Sequence, residues 1–359
     1  MSERLDRVRD TLLVHCEPVD AYAALALADR PGAGVVVSTR KRSDVWALAE
    51  VAERRGIPFL VDAGRYTGKW RRPASDRFDR GWLRMQRDLG IPVLTDSGYI
   101  AAHDVAGLAN VLDQARALGD VTAVLPLNSS WWFDRKGGLD CLVDHVDAAQ
   151  VPIALVLEHS GDPLGVGRTL DGLLALLRVG VPVLSLRSDT SGLGLLCHGA
   201  HAAAVGTRSG LRHPYPMTTG GGRGRSPSTS TIVQECLAYI TIDKIVLAIA
   251  ADPDSSLWTA CTCPSCNGRQ LDTIVAAPAH RQVERAFGHA LHTLFDLRDH
   301  LVGRTTDPAA RRISWREHCS SALTRYLELD DAGQQWTVPA FLRNWYRVPV
   351  PTMTPDRGR

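Results

Sequence analysis

One phrase recurs eight times between residues 11 and 207, and it limits the possible folds more than any other feature. A short, largely β-branched apolar run is followed by a polar or glycine-bearing turn, then by a stretch with apolar residues three and four apart. The runs are 12–16, 34–39, 58–62, 92–96, 122–127, 153–158, 182–186 and 202–207, with helical patterns such as 43–55, 105–118, 139–149 and 169–179 between them. Near-continuous apolar runs alternating with amphipathic helices describe parallel strands covered by helices. Four runs are introduced by Gly-Ile-Pro, Gln-Val-Pro or Gly-Val-Pro, and a proline there costs no ladder bond. Eight such units favour an α/β fold of the closed (β/α)8 TIM-barrel kind over an open doubly wound sheet, because no dinucleotide fingerprint follows the first run.

The rhythm stops at 218–230, TTGGGRGRSPSTS, which reads as a loop. An apolar segment at 241–250, a cysteine cluster and a helix-rich stretch from about 279 to 327 follow, and the end of the chain is proline-rich. The expected division is therefore a barrel over 1–217, a Gly/Ser-rich connection over 218–240, a zinc-binding helical subdomain over 241–338 and an extended tail over 339–359. With 359 residues, 45% of them hydrophobic, the chain has ample material for a large core. The start, MSERLDRVRD, has no apolar leader, and no apolar run reaches the roughly 18 residues of a membrane span, so a cytoplasmic location is expected. Cys16, Cys141, Cys197, Cys236 and Cys319 are scattered among mostly apolar neighbours and read as small buried hydrophobes.

Cys261-Thr-Cys263-Pro-Ser-Cys266 gathers three thiolates into one turn, and His292 follows 26 residues later on a predicted helix. Three thiolates and one imidazole close a tetrahedral Zn2+ site with no open position, which makes the ion structural. Spacing alone does not choose among His280, His289, His292 and His300.

Asp62 and Asp96 end the third and fourth runs, where barrel enzymes place their chemistry, and each is followed by a small residue and glycine. An aspartate after a strand is also a common helix cap. Asn128 and Glu158-His159 end neighbouring runs and form a polar rim able to hold a purine edge. Tyr66, Tyr99, Trp131 and Trp132 are candidates to stack on a base. Of the 41 basic residues only four are lysine, so fixed positive charge is almost entirely guanidinium, which suits phosphate and equally follows from codon bias. Arg208 and Arg212, with Arg223 and Arg225 in the Gly-rich loop, and Lys69, Arg71 and Arg72 around Trp70, are the basic groups nearest the expected mouth.

A Cys-x-Cys-x2-Cys cluster after eight β/α units, followed by His289-Ala-Leu-His292 with its second histidine 26 positions past the last cysteine, resembles the zinc site of the tRNA-guanine transglycosylases. The resemblance covers nearly the whole chain and implies exchange of guanine for a 7-deazaguanine base in tRNA, or in DNA as in a paralogous branch. It implies one aspartate as nucleophile on the ribose carbon and another as general acid/base. Asp62-Ala-Gly-Arg-Tyr66 stands where the family has Asp-Ser-Gly-Gly-Phe-Gln, and Thr95-Asp96-Ser97-Gly98-Tyr99 stands where a base-recognising aspartate ends the fourth strand.

The eighth run departs from that pattern. It keeps Thr207-Arg208-Ser-Gly but carries alanine where the nucleophile belongs, and alanine cannot attack an anomeric carbon. Asp189, at the end of the seventh run, or Asp96 is then the candidate nucleophile, and His201 a lesser one. The resulting expectation is a pentosyltransferase in which Asp62 does acid/base or positioning work. Asp96 and Asn128 hydrogen-bond the purine, Glu158 and Tyr99 line its site, and Arg208 meets a phosphate. Structural Zn2+ and a nucleic-acid partner are implied, with a homo- or heterodimer left open. The rival is a noncatalytic zinc-stabilised paralogue that binds nucleic acid or a catalytic partner, and a third reading is a barrel hydrolase or lyase of small molecules.

Overall fold

Seven of the eight apolar runs are strands: β1 (Thr11–Cys16), β2 (Ala33–Ser38), β3 (Phe59–Asp62), β4 (Ala123–Leu127), β5 (Ile153–Leu157), β6 (Val183–Ser188) and β7 (Ala202–Gly206). They form one curled parallel sheet in the order β3-β2-β1-β7-β6-β5-β4. The computed structural model describes residues 3–69, 71–133, 137–217 and 228–351. Helices alternate with the strands: α1 (Glu3–Asp6), α2 (Pro18–Leu27), α3 (Arg42–Arg55), α4 (Arg80–Asp88), α5 (Val105–Leu118), α6 (Ser130–Phe133), α7 (Gly138–Ala149), α8 (Gly167–Leu176) and α9 (Gly192–Cys197). Beyond them come an antiparallel pair, β8 (Ser230–Val233) and β9 (Ala238–Thr241), and the helices α10 (Ile242–Ala251), α11 (Ala279–Arg298), α12 (Pro308–Asp331) and α13 (Ala340–Arg347). No helix among the described residues is long and apolar enough to cross a membrane.

Period-two alternation divides the strand side chains between two cores. Leu12, Val14, Val35, Val37, Phe59 and Val61 join the large core under the helices, whereas Leu13, Val36, Leu60, Val124, Val156 and Leu184 fill a separate core on the concave face. Leu5 and Val8 belong to this inner core, as do Tyr66, which follows the end of β3, and Tyr99, which follows the run at 92–96.

The run at 92–96, expected as a strand, makes a single bridge, Leu94 to Thr122 beside β4. Thr122 donates its N–H to the Val93 carbonyl (2.8 Å), and Thr95 donates its own to the Thr122 carbonyl (3.1 Å). That pattern turns the N–H and C=O of Leu94 away from β4. A side chain meets them there: the buried carboxamide of Gln86, on α4, accepts from the Leu94 N–H and donates to its carbonyl, both at 2.9 Å. A glutamine thus does the work of a neighbouring strand. Among the described residues the sheet has seven strands, and no ladder joins β3 to this segment.

Candidate functional site

Four strands deliver polar side chains to the C-terminal end of the concave face. His15 follows Leu13 by two residues, Ser38 follows Val36 and Asp62 follows Leu60, so ordinary alternation turns all three inward. Arg187 reaches the same point by other means. The β6–β7 register shifts between Ser185 and Ser188, and Arg187 adopts φ +49°, a left-handed conformation that costs a non-glycine residue roughly 1–2 kcal/mol.

Asp62 Oδ2 accepts from the Tyr66 hydroxyl (2.6 Å), from Arg187 Nε (3.2 Å) and from Ser38 Oγ (3.4 Å). Oδ1 accepts from the Gly64 N–H (2.8 Å), and His15 Nε2 stands 3.4 Å from Oδ2. Burial pushes the Asp62 carboxyl up, but the contact with His15, the Arg187 charge and the Tyr66 hydroxyl outweigh it and hold the group well below the usual carboxylate range. Burial pushes His15 the other way, toward the neutral form, despite its contact with Asp62. Asp62 is thus a buried, saturated anion.

Asp96, also buried, is engaged as a clamp. Its Oδ1 accepts from the Asp79 N–H (2.9 Å) and its Oδ2 is 2.8 Å from Arg65 Nε. Burial raises its pKa against the pull of those partners. Asp79 in turn caps α4 through the N–H groups of Gly81 and Trp82.

On the next strand ends, Tyr99 donates its hydroxyl to Glu158 Oε2, and Asn128 Nδ2 contacts both the Tyr99 hydroxyl (2.6 Å) and Glu158 Oε2 (2.9 Å). Arg71 closes this group, 3.0 Å from Glu158 Oε1 and with its guanidinium 3.7 Å from the Tyr99 ring centroid. Burial and the Glu158 carboxylate raise the Tyr99 phenol to about 12. The backbone around Arg71 is held over the site by Tyr99, whose N–H donates to the Arg72 carbonyl (2.7 Å). The chain passes so close that a Cβ on Gly98 would lie 2.1 Å from the Pro73 carbonyl oxygen.

A third group stands beyond β5 and β6. Asp189 is the most open of the three proposed catalytic aspartates, its side chain 21% exposed against 2% for Asp62. Arg212 lies 3.8 Å from its carboxylate and stacks 3.4 Å from the Tyr239 ring centroid. Asp162 caps the Leu164 N–H with Oδ1, while its enclosed Oδ2 has no closed hydrogen bond. Burial and the nearby Asp189 charge push Asp162 up to about 7, against the Ser191 hydroxyl and Arg212. Also enclosed and without a closed hydrogen bond among the described residues are both ring nitrogens of His213, the Tyr239 hydroxyl and Ser191 Oγ.

The other sequence candidates fall elsewhere. Trp131 and Trp132 pack in the outer core under the helices, not at the mouth. His201 precedes β7, at the opposite end of the sheet, where its Nε2 meets the Leu5 carbonyl (2.8 Å). Arg208 pairs with Glu17 (3.2 Å) and Asp20 (2.8 Å). Trp70, Arg223 and Arg225 lie outside the described residues.

No family model matches this chain, and no curated protein matches it either. The reading of the site therefore rests on its geometry.

Cys261, Cys263 and Cys266 come together with His289, their ligand atoms all within 4.8 Å of one another. This corrects the expectation of His292. His289 Nε2 sits 2.9 Å from the Ile232 carbonyl of β8, which accepts its N–H and leaves the Nδ1 lone pair facing the sulfurs. Nδ1 is 3.4, 3.6 and 3.3 Å from the three Sγ atoms in chain order. A tetrahedral ion about 2.3 Å from sulfur and about 2.0 Å from nitrogen sets those atoms about 3.5 Å apart, so the donor set fits a metal. His292 is three residues on, about 4.5 Å farther along the helix and turned by about 60°, and takes no part. The cysteine turn rests directly on α11: a Cβ on Gly288 would lie 2.3 Å from Ser265 Oγ.

His15, Arg187, Asp162, His213 and Tyr239 were not singled out by sequence. Alternation along β1 marks His15 as inward-facing, whereas nothing local marks Arg187, whose direction depends on the bulge.

Proposed function

We propose that the chain is a pentosyltransferase that exchanges guanine for a 7-deazaguanine base in tRNA or DNA, with Asp189 as nucleophile and Asp162 as its acid/base partner. The observation that carries this reading is a partly open carboxylate, Asp189, whose charge acts on the enclosed Asp162, an acid with one oxygen left without a hydrogen bond. Asp62 is already saturated by buried partners and Asp96 is engaged by the Asp79 N–H and the Arg65 guanidinium, which favours positioning work for both.

In the first half-reaction an Asp189 oxygen bonds to the ribose C1′ while the C1′–N9 bond to guanine breaks, and the Asp162 proton goes to the departing purine. The incoming base then bonds to C1′, loses its proton to Asp162 and releases Asp189. Glu158 and Asn128, bonded here to each other, to Tyr99 and to Arg71, would turn acceptor and donor atoms to a purine edge once Arg71, stacked on Tyr99, moves aside. A base inside a helix has to be extruded to reach this depth. The inner core, to which all seven strands of the parallel sheet and Leu94 contribute, supports a closed (β/α)8 barrel whose seam at 92–96 is held by Gln86. The cysteines and His289 are read as a structural Zn2+ site that fastens the 261–269 turn to α11.

Incubation with guanine-bearing tRNA or DNA and labelled guanine tests the reading. Incorporation that disappears in Asp189→Asn supports it. The rival binding role is favoured by the alanine at the eighth run and by the arginine neutralisation of Asp62 and Glu158. Salt-dependent binding without incorporation would establish that rival and end the enzymatic reading.

A further inference from the structure

On the helical flank of the sheet, α8, α9, α12 and α13 line an open cavity of about 500 Å³ that takes no part in the site above. One wall is a stripe of α8 at helical spacing, Gly167, Leu170, Asp171 and Leu174, continued by Arg178 just past its end. Arg312 on α12 and Arg347 on α13 face it, and His198 closes the end of α9. We propose that this cavity binds a phosphate-bearing ligand whose oxyanion is held by Arg178, Arg312 and Arg347.

Three arginines line it with one carboxylate, Asp171; Arg178 and Arg347 are exposed at its rim and Arg312 is half-buried, and none of the three is ion-paired among the described residues. Like charges lining one concavity are relieved when an anion joins them, and guanidinium forks match phosphate geometry. Arg312 Nε is enclosed and without a partner, a donor whose desolvation an arriving oxygen would offset. His198 packs on Trp345 with ring centroids 4.9 Å apart. Burial and the Arg312 charge lower its pKa to about 4, so near neutrality it adds a hydrogen bond and no charge. The volume falls in the range of small-molecule sites and exceeds what a bare phosphate fills, while Leu170, Leu174 and Val348 give an apolar wall for the attached group.

Equilibrium dialysis of the full chain against radiolabelled inorganic phosphate is the test. One saturable site per chain is expected, weakened at least about tenfold in Arg178→Gln/Arg347→Gln and unchanged in the remote Arg116→Gln on α5. Binding that does not saturate, or that is equal in the double variant and the parent, would overturn the proposal. Competition then identifies the source. Displacement by a nucleoside 5′-monophosphate alone points to a phosphate monoester, whereas displacement by a dinucleotide with only an internal phosphate points to a polynucleotide backbone. Displacement by neither would exclude an organic phosphate and sink the proposal. Because Asp189 lies outside this cavity, its outcome is independent of the labelled-guanine experiment.

Discussion

Arg187 Nε lies 3.2 Å from Asp62 Oδ2, although β6 and β3 are separated in the sheet by β7, β1 and β2. Four strand spacings of about 4.8 Å would hold these ends about 19 Å apart in a flat sheet. The contact therefore measures the curl directly. It also explains the left-handed backbone at Arg187: the strain is held in place by a charge-assisted bond that only a curled sheet makes available.

Breaking that pair from one side should be severe. Arg187→Met leaves Asp62 buried beside a neutral imidazole, with a cost of roughly 3–5 kcal/mol. Urea unfolding should show the loss, and Asp62→Asn in the same chain should restore part of it, since the uncompensated charge is then gone. An equal loss in the single and double variants would mean that the arginine acts through packing alone.

The same aspartate sets an acid limit on stability. Its folded pKa lies below the unfolded value of about 3.9, so its stabilising contribution is complete above that value and is lost as pH falls toward the folded pKa. Unfolding free energy measured from pH 5 down to pH 2 should fall steeply in the parent and less steeply in Asp62→Asn. Parallel curves would remove Asp62 as the source of the slope.

Metal retention should separate the two histidines one turn apart. His289→Ala is expected to abolish stoichiometric zinc and loosen the 261–269 turn, because free energies of roughly 10 kcal/mol or more accompany structural zinc binding. His292→Ala should keep its metal. Elemental analysis after desalting distinguishes them, and zinc retained by the His289 variant would contradict the ligand set.

What sequence could reveal follows from how local each cause is. Alternation from Leu13, Val36 and Leu60 makes His15, Ser38 and Asp62 inward-facing without any structure, and the three cysteines announce a metal turn by spacing alone. The histidine choice was hidden because it depends on the Ile232 carbonyl, 57 residues before His289. The run at 92–96 has the composition of a strand, but Gln86 occupies its outer backbone groups, a side-chain event that periodicity cannot register. Asp162 Oδ1 caps the Leu164 N–H, an ordinary local role. Its second oxygen gains meaning only from the proximity of Asp189.

Gln86 itself is open to test. Gln86→Leu keeps the volume but leaves the Leu94 N–H and C=O buried and unpaired, at a cost of roughly 2–5 kcal/mol. Amide hydrogen exchange should then accelerate at Leu94 and Thr95 first. Uniform acceleration across β1 and β2 as well would mean that the seam does not open locally.

The acid pair makes the sharpest kinetic claim. If Asp162 delivers the proton to the departing base, only its protonated form works, and its pKa of about 7 places the fall in rate above neutrality. The side chains acting on it are Asp189 and Ser191 after β6 and Arg212 after β7; His213 and Tyr239, which act on Asp189 and Arg212, are lowered to about 4 and raised to about 12, so neither titrates near pH 7. Base-exchange rates measured from pH 5.5 to 9 should therefore decline along a single alkaline limb. Asp162→Asn should lower the rate by about 10²–10³ and flatten that limb, while Asp189→Asn should abolish exchange at every pH. An alkaline limb that survives in Asp162→Asn would assign the proton to another group.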